Sequence, residues 1–300
     1  MNRLITQIGY VEIATPNRDA WLALGATVGC QTVRLPNGDA ALRLDNDRNA
    51  RIFFKDASEE YIIMGWQAAD KHAFETVFDR LEAAGAQPKH DAELANLRKC
   101  EAVARFVDPD GFACELYWGA ATAMRTQFFS PHQVQFVAGA LGFGHVTMAV
   151  RDMEKSRNFY TDILGLYLSE VADVGALSVA FLNANTRHHS LAITQLPSGE
   201  ARHDHVMLEV AHLDDLGGLR DRLFSDGLPL DRDLGRHPTD NVVSMYIKTP
   251  SPFTLEVGWG SVHVGPDWDN ERYHRSGWSW GHKKLDDSGA PIMDENLGDN

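Results

Sequence analysis

Three residues in the second half of the chain are of types that bind metal ions. His145 lies in GFGHVTMAV, His205 in RHDHVMLEV and Glu256 in FTLEVGWG. Each run is rich in Val, Leu, Thr and Met, which predicts a β-strand. Two imidazoles and one carboxylate on neighbouring strands can bind one face of a metal ion and leave the opposite face open, as in non-haem Fe(II) enzymes that activate O₂. The sequence therefore predicts an oxygenase centre at His145, His205 and Glu256.

The carboxylate of this triplet needs a partner. Glu256 lies between Leu and Val on an apolar strand, and burial of an unpaired carboxylate costs several kcal/mol. Glu209 in HVMLEV is an alternative candidate ligand, because strand alternation places it on the same face as His205. We favour His205 as the ligand because its strand position corresponds to that of His145. Glu209 is then left with a structural or ligand-supporting role.

A second group of residues in the same half could handle protons. It comprises His188 and His189 in NTRHHSLAI, His237 and Asp240 in LGRHPTDN, and Tyr246 in VVSMYIKTP. Histidine suits proton transfer because its unperturbed pKa of about 6.5 lies near neutrality. Taken singly, RHPTD is also typical of a solvated turn, and Tyr246 of a half-buried strand residue.

The composition is that of an ordinary globular protein. The 300 residues suit two domains of about 150 residues each, and hydrophobic and charged residues make up 44% and 23% of the chain. The formal net charge is −14 and no stripe of Lys and Arg occurs, which argues against nucleic acid or an anionic membrane as the partner. We expect a small-molecule partner.

The N-terminus and the cysteines favour a cytoplasmic location. MNRLITQIGYVEIATPNRDAW has neither the long apolar core nor the small-residue cleavage site of a signal peptide. No stretch approaches the roughly 18 to 20 apolar residues that span a bilayer. Cys30, Cys100 and Cys114 lack CxxC spacing, which disfavours a disulfide framework and a thiolate zinc site. We expect them to be buried or free thiols.

The two halves of the chain repeat one pattern. ITQIGYVEIATPNRDAWLALGATVGC and LGFGHVTMAVRDMEKSRNFYTDILGL each predict a strand, a polar N-cap region and an amphipathic helix. EYIIMGWQAADKHAFETVFDRLEAAG and HDHVMLEVAHLDDLGGLRDRLFSDG again predict a strand and a helix that ends near Gly. RFVDPDGFACELYWG matches YIKTPSPFTLEVGWG. The sequence thus predicts four strand-helix-strands units in two pairs, an α+β fold.

Only the second half keeps the complete set of candidate ligands. The matching positions are Tyr10 with His145, residues 61–63 with His205, and Glu115 with Glu256. The first half therefore retains the carboxylate and lacks both histidines. Ten of the thirteen histidines lie at or beyond His145. This asymmetry predicts a duplicated domain in which the C-terminal copy alone carries chemistry.

The repeat also predicts the domain boundaries. Residues 1–135 form an N-terminal domain that has lost its metal site, and residues 136–285 form the catalytic domain. A linker runs through TAMRTQFFSPHQVQFVAGA, where Ser130 and Pro131 break the pattern. Residues 286–300 are acidic and contain Gly, which is typical of a flexible tail.

The order of these motifs resembles a known family. The set GHV, RHHSLAI, HVMLEV, LGRHPTD, SMYIKTP and LEVGWG is similar to that of the type I extradiol catechol dioxygenases in the vicinal oxygen chelate superfamily. The nearest subgroup is that of the 2,3-dihydroxybiphenyl 1,2-dioxygenases. The resemblance covers essentially the full length. It implies two homologous domains of the glyoxalase/bleomycin-resistance/extradiol-dioxygenase kind, each of two βαβββ modules, with the metal inside the C-terminal funnel.

The resemblance also implies a role for each site residue. His145, His205 and Glu256 match the family's iron ligands. The remaining matches are His189 near the oxygen site, His237 and Tyr246 at the catechol oxygens, Asp240 as a supporting carboxylate that orients His237 or tunes its basicity, and Phe181 in VAFLNANTRHH at the substrate ring. His189 is expected to stabilise the bound oxygen and to donate a proton as the O–O bond breaks.

Two positions depart from the family pattern. Asp204 replaces a histidine expected beside His205, a change predicted not to touch the three ligands. Thr147, two residues beyond His145, lies at a pocket-wall position that is often apolar in the family. The departure at Thr147 bears on the fine substrate preference.

The resemblance implies an iron-dependent enzyme of aromatic catabolism. It would insert both atoms of O₂ into a substituted, bulky or bicyclic catechol such as 2,3-dihydroxybiphenyl, with cleavage beside the hydroxyls. The cofactor would be Fe(II), with Mn(II) suited to the same ligands and O₂ as co-substrate, and the family suggests a homo-oligomer. The alternatives are a glyoxalase-like isomerase or thiol transferase that uses the metal as a Lewis acid, and a ligand-sequestering protein of the same fold.

Overall fold

A computed structural model describes residues 3–122, 127–174, 177–270, 276–286 and 288–292. The described residues form two mixed β-sheets, one of eight strands from the first half and one of nine from the second. The helices lie between the strands in chain order, so the predicted α+β class is confirmed. None of the described helices is long and apolar enough to cross a membrane.

The first sheet is built from two consecutive modules. Its strands run in the spatial order β2-β3-β4-β1-β5-β8-β7-β6. The strands are β1 (Ile5–Ala14), β2 (Gln31–Arg34), β3 (Ala40–Arg43), β4 (Ile52–Lys55), β5 (Tyr61–Ala68), β6 (Lys89–His90), β7 (Ala102–Val107) and β8 (Ala113–Trp118). Helices α1 (Arg18–Val28) and α2 (Lys71–Ala83) follow β1 and β5, and a short helix α3 (Ala92–Arg98) lies between β6 and β7.

The second sheet repeats this plan. Its spatial order is β10-β11-β12-β9-β13-β16-β15-β14-β17. The strands are β9 (His145–Val150), β10 (Tyr167–Val174), β11 (Leu177–Asn183), β12 (Leu191–Gln195), β13 (Arg202–Val210), β14 (Leu230–Arg236), β15 (Val243–Ile247), β16 (Thr254–Trp259) and β17 (Trp280–Gly281). Helices α4 (Met153–Asn158), which continues into a π-helical turn, and α5 (Leu213–Ser225) follow β9 and β13.

Strand register confirms the internal repeat residue by residue. In the second sheet Met207 pairs with both His145 and Glu256. In the first sheet Gly65 pairs with both Tyr10 and Glu115. Tyr10 and Glu115 therefore occupy the places of His145 and Glu256, as the sequence predicted.

Aspartate side chains begin three of the helices. Asp70, Asp91 and Asp152 each accept a hydrogen bond from the backbone N–H three residues later, at 2.8 to 2.9 Å. These bonds satisfy donors that the first helical turn leaves free. The first turn of each helix is thus stabilised just after the strand that precedes it.

One hydrophobic core extends across both halves. The ring centroids of Trp66 and Tyr160 lie 5.8 Å apart, and the Tyr160 hydroxyl donates to Asp108 at 2.8 Å. Trp21 packs against Phe253 with a centroid distance of 5.7 Å. The halves are therefore joined by buried aromatic contacts as well as by the connecting chain.

A buried ion pair fastens the connecting segment to the first sheet. Asp45 Oδ2 lies 2.6 Å from Nη2 of the fully buried Arg51 and accepts from Gly139 N at 3.0 Å. Phe136 already pairs with β13 through a bridge to Val210. The predicted linker thus contacts both halves near its end, β13 through Phe136 and the first half through Gly139. Its residues 123–126 lie outside the described part.

The three cysteines are free thiols, and Cys30 and Cys114 are buried, as predicted. The predicted tail, residues 286–300, falls mostly outside the described residues. Within the described part, Asp286 caps a turn through its side chain, and Leu285 bridges to Pro291.

Candidate metal centre and active site

Three adjacent central strands carry the predicted triplet. His145 begins β9, His205 lies on β13 and Glu256 on β16, and β13 pairs with the other two strands. The Nε2 atoms of the two histidines are 3.2 Å apart. Glu256 Oε2 lies 3.2 Å from His145 Nε2 and 3.3 Å from His205 Nε2. The three donor atoms form a nearly equilateral triangle.

The nine residues predicted for ligand, catalytic and pocket positions all line one cavity of about 440 Å³. These residues are His145, Thr147, Phe181, His189, His205, His237, Asp240, Tyr246 and Glu256. They come from five strands and two loops spread over more than one hundred positions. The sequence prediction is therefore correct in placing them together.

Burial shapes the electrostatics of the triplet. Desolvation alone would raise the pKa of Glu256, but contacts with His145, His205 and His237 hold that pKa well below 4.5. Burial lowers the pKa of His145, whereas for His205 the neighbouring Asp204 and Glu256 outweigh burial and raise its pKa to about 9. The buried carboxylate of Glu256 thus lies at the centre of a cluster of imidazoles.

Asp204 contacts the triplet directly, contrary to the sequence prediction. Its Oδ2 lies 2.9 Å from Nδ1 of His205. The cause is a β-bulge, since the register between β13 and β9 shifts between His203 and His205. A bulge breaks the alternation of side chains, so two consecutive residues face the same cavity. Both Asp204 and His205 line it.

His189 lies against one ligand candidate. Its ring centroid is 4.0 Å from that of His145 and 4.9 Å from that of Phe181. Its Nδ1 contacts Nδ1 of His188 at 3.0 Å, so Nε2 is the ring nitrogen left for a ligand. Burial and the neighbouring His145 and His188 hold the pKa of His189 well below 6.5.

His237 and Tyr246 form a hydrogen-bonded pair on the other side of Glu256. His237 Nε2 lies 2.9 Å from the Tyr246 hydroxyl and 3.4 Å from Glu256 Oε1. The carbonyl of Gly277 lies 2.9 Å from Nδ1 of His237 and can only accept, so Nδ1 carries a proton. Burial and the charge of Glu256 raise the pKa of Tyr246 well above 10, which keeps its hydroxyl protonated.

Asp240 lies beside a different histidine from the one predicted. Its Oδ2 is 4.0 Å from Nδ1 of His189, and its Oδ1 accepts from Val242 N in the turn. The expectation that it orients His237 is therefore wrong as a direct contact, because the Gly277 carbonyl holds that ring. The charge of Asp240 still contributes to the raised pKa of His237, where burial opposes it and Glu256 is the main cause of the rise.

Glu209 has a structural place. It pairs with the buried guanidinium of Arg187, and its Oε1 accepts from Ser261 N at 3.1 Å. Since Arg187 Nη2 also donates to the carbonyl of Val137 at 2.7 Å, this pair joins β13 to the chain that enters the second sheet. The choice of His205 over Glu209 is consistent with this geometry.

Several residues near the site were missed by sequence reasoning. His282 is buried with its ring centroid 4.6 Å from that of His237, and Trp278 lies 5.5 Å from the same ring. Glu170 is fully buried, with Oε1 3.2 Å from His188 Nε2. The aromatic run GWSWGH after the last repeated strand was the available signal for His282 and Trp278.

The first half fills the equivalent place with a guanidinium. Arg98 donates to both carboxylate oxygens of Glu115, at 3.1 and 3.0 Å, and lies 3.0 Å from Glu12. The Tyr10 hydroxyl donates to Glu115 at 2.5 Å. The pKa of Arg98 is raised because these acidic groups outweigh burial. The fixed positive charge of Arg98 thus neutralises Glu115, the carboxylate at the position that Glu256 occupies in the second half.

Comparison with known proteins agrees with this geometry. Residues 142–257 match the family model of the Glyoxalase/Bleomycin resistance protein/Dioxygenase superfamily. The chain is 36% identical to the biphenyl-2,3-diol 1,2-dioxygenase of Paraburkholderia xenovorans, over 95% of this chain and 98% of that protein. It is 32% identical to an iron-dependent extradiol dioxygenase of Rhodococcus jostii, over 93% and 97%.

Solved structures show the same fold over nearly the whole chain. A halotolerant catechol dioxygenase superposes with a TM-score of 0.89 at 29% identity, and the match covers 97% of this chain and 99% of that one. The two sheets and the paired modules thus have a known counterpart. The chain belongs to the extradiol catechol dioxygenases of the Glyoxalase/Bleomycin resistance protein/Dioxygenase superfamily.

Proposed function

We propose that this protein is an Fe(II)-dependent extradiol dioxygenase that cleaves a substituted catechol with O₂. The observation that carries the proposal is the triangle of His145, His205 and Glu256 at the floor of a cavity. Relatives with this activity in their names align over nearly the whole chain. The activity places the protein in the degradation of aromatic compounds.

The three donor groups fit a divalent metal ion. Atoms that share one first-row cation at about 2.1 Å lie about 3.0 to 3.4 Å apart for right-angled to tetrahedral geometry, and the observed separations are 3.2 to 3.3 Å. Glu256 is 1% exposed, and its Oε1 has no hydrogen-bond partner among the described residues. A bound cation would stabilise a carboxylate buried in this way. Two imidazoles and one carboxylate suit Fe(II), and Mn(II) as well.

When bound, the metal would supply an electrophilic centre that favours the deprotonated catechol and brings it together with O₂. The chain's own residues then divide into two sides. Tyr246 and His237 lie on the Glu256 side, where a protonated phenol and an imidazole can hold the catechol oxygens. His189 lies on the His145 side, where a neutral imidazole can accept a proton and return it.

The cavity wall favours an aromatic substrate larger than catechol. Phe181 stands edge-on to the His189 ring at an interplanar angle of 68°, and Thr147 and Ala192 are paired neighbours on the same wall. Thr147 and Phe181 are half-buried, so part of each side chain faces the cavity. We therefore favour a bulky or bicyclic catechol such as 2,3-dihydroxybiphenyl, with Thr147 and Phe181 in contact with its substituent.

The test is anaerobic reconstitution with Fe(II), followed by 2,3-dihydroxybiphenyl or catechol in air. O₂ uptake and visible absorbance are recorded together. Uptake of one O₂ per substrate with a yellow ring-opened product supports the proposal, and the ratio of the two rates defines the pocket. Glu256→Ala serves as the metal-binding control. Bound metal without O₂ uptake would favour a Lewis-acid isomerase or transferase of this fold.

Three further predictions from the sequence concern the domains, the location and the assembly. We propose that residues 1–135 and 136–285 are the two domains, supported by the two sheets and by the point where the connecting chain joins β13. The cytoplasmic location and the homo-oligomeric assembly stay predictions. Size-exclusion chromatography with light scattering measures the assembly.

A further inference from the structure

The Asp204 carboxylate is a second acidic group at the candidate metal centre. Its Oδ2 lies 2.9 Å from Nδ1 of His205, while its Oδ1 lies 3.4 Å from Nη1 of Arg202. The side chain keeps 43% of its surface exposed at the cavity. Its place is fixed on one side by a ligand candidate and on the other by a cation.

The contact determines which nitrogen of His205 is available to a metal. A carboxylate accepts hydrogen bonds, so the proton between Asp204 and His205 lies on Nδ1 of the imidazole. In the neutral imidazole that binds a metal, Nε2 then carries the lone pair and faces the triangle formed with His145 and Glu256. Partners of this kind fix the ring orientation and increase the donor strength of a ligating histidine.

The bulge makes this contact possible between neighbours in sequence. Regular alternation would direct Asp204 and His205 to opposite faces of β13, but the register shift brings both to the cavity. The support for the ligand thus comes from the preceding residue rather than from a distant segment. It is also a feature of this chain, because the family pattern leads to a histidine at position 204.

We propose that Asp204 is a positioning residue that holds His205 in the metal-binding tautomer and strengthens metal binding at this site. The inference rests on the proposed function only in taking His145, His205 and Glu256 as the ligands. Asp204 acts through His205 and does not itself contact the metal or the substrate. Its effect should therefore appear in metal affinity before any turnover takes place.

The test measures the affinity of the metal-free protein for Fe(II) under anaerobic conditions by competition with a chromophoric chelator. Asp204→Asn is expected to weaken binding by about 10- to 100-fold. Asp204→His, which restores the residue that the family pattern predicts, is expected to weaken it similarly because it lacks the carboxylate. Asp204→Glu keeps the carboxylate and should recover most of the affinity.

The chain offers a matched control in Asp231. This carboxylate lines the same cavity and lies 3.6 Å from Arg232, and it contacts no ligand candidate among the described residues. Asp231→Asn removes the same charge and is expected to change Fe(II) affinity less than threefold. An equal loss in both Asn variants would overturn the positioning role in favour of a general charge effect, as would Asp204→Asn binding as tightly as wild type.

A spectroscopic measurement separates positioning from a folding defect. In the Zn(II)-loaded protein labelled with ¹⁵N-histidine, His205 should show a protonated Nδ1 that exchanges slowly with water. Asp204→Asn should speed this exchange while the remaining histidine signals keep their positions. An unprotonated Nδ1 in the wild type contradicts the inference. Ring cleavage is not part of either measurement, so absent turnover with the expected affinities refutes the proposed function and still supports the role of Asp204.

Discussion

The surroundings of His189 change its pKa and therefore its charge. Burial and two adjacent imidazoles lower its pKa, so at neutral pH the ring is uncharged and has a free nitrogen. Its ring lies against that of His145, at a centroid distance of 4.0 Å, beside the candidate metal centre. A neutral imidazole in this place can first accept a proton and later return it, which a solvated histidine could not do with the same positional control.

Removal of this ring should affect turnover and leave metal binding unchanged. His189→Ala is expected to lower kcat by about 10²- to 10⁴-fold, the usual contribution of a positioned acid or base, at an iron content equal to that of wild type. Steady-state O₂ uptake with parallel iron analysis measures both quantities. The exposed His212 provides the control, and His212→Ala should keep wild-type kcat. Wild-type turnover in His189→Ala would refute the assigned role.

The positions of single residues differ in how far the sequence predicts them. The shared cavity of His145, His205 and Glu256 could be predicted because each lies in a recognisable strand and the three strands are adjacent in the sheet. The contact of Asp204 could not, because it depends on a local backbone irregularity that has no sequence signature in HDHV. His282 could not be placed either, since it reaches the site from a segment beyond the repeated units.

At the level of elements, two equivalent strands each bury a carboxylate whose charge must be neutralised. Glu115 on β8 and Glu256 on β16 are both buried at equivalent register positions. The second half provides a site that fits a metal ion. The first half provides Arg98, which ends the short helix between β6 and β7. In the described part of the second half, β14 leads to β15 without such a helix.

Arg98 should therefore be important for stability. Arg98→Met leaves Glu115 and Glu12 buried without their cation, which is expected to cost about 3 to 5 kcal/mol of unfolding free energy. Chemical denaturation followed by circular dichroism measures this loss. Arg105→Met is the matched change, because Arg105 pairs with Asp91 while 59% of its side chain is exposed, and such pairs contribute at most about 1 kcal/mol. Equal stability of the two variants would contradict this account.

The repeat itself was legible in the sequence because helices and strands recur with the same spacing of apolar residues. Arg98 could not be predicted in its role, since it comes from helix α3, which has no counterpart in the described part of the second half. Tyr10 explains a second local choice. A Cβ at Gly65 would lie 2.4 Å from the Tyr10 ring, so the larger ring in place of His145 requires glycine on the paired strand.

For the whole molecule, the continuous core predicts cooperative behaviour. Because buried residues of both halves pack in one cluster, we expect a single thermal transition rather than one for each half. A ligand that binds only the folded state adds RT ln(1 + [L]/Kd), about 2.7 kcal/mol at 100 times Kd. Calorimetry with Mn(II) and with a chelator should show that single transition shifted upward by the metal. Two transitions, of which one ignores the metal, would show that the halves unfold independently.

The junction between the halves should respond to pH. Burial would raise the pKa of Asp45, but Arg51 and backbone donors lower it below 3.8. A depressed carboxyl pKa adds stability that is present above the unfolded pKa and is lost as pH falls through the folded pKa.

The variant Asp45→Asn tests this linkage. It is expected to cost about 2 kcal/mol at pH 7, as for hydrogen bonds to charged groups, and progressively less below about pH 4. Urea denaturation of both proteins across this range measures the difference. Asp39→Asn is the control, because that carboxylate lies 3.6 Å from Arg18 and stays 43% exposed. A pH-independent cost for Asp45→Asn would exclude the ion pair as its origin.

The arginine of the first half also bears on how the enzyme fails and recovers. A guanidinium is covalently part of the chain, so it can be neither chelated nor replaced by a competing cation, and O₂ does not oxidise it. A bound Fe(II) ion is open to all three losses. Inactivation in air should therefore affect the second half only. The first half remains folded around the Arg98–Glu115 ion pair and stays joined to the second half through the shared core. In an enzyme that has lost its iron, the first half stays folded and keeps its packing against the second half. Anaerobic Fe(II) with a reductant should therefore restore activity without refolding.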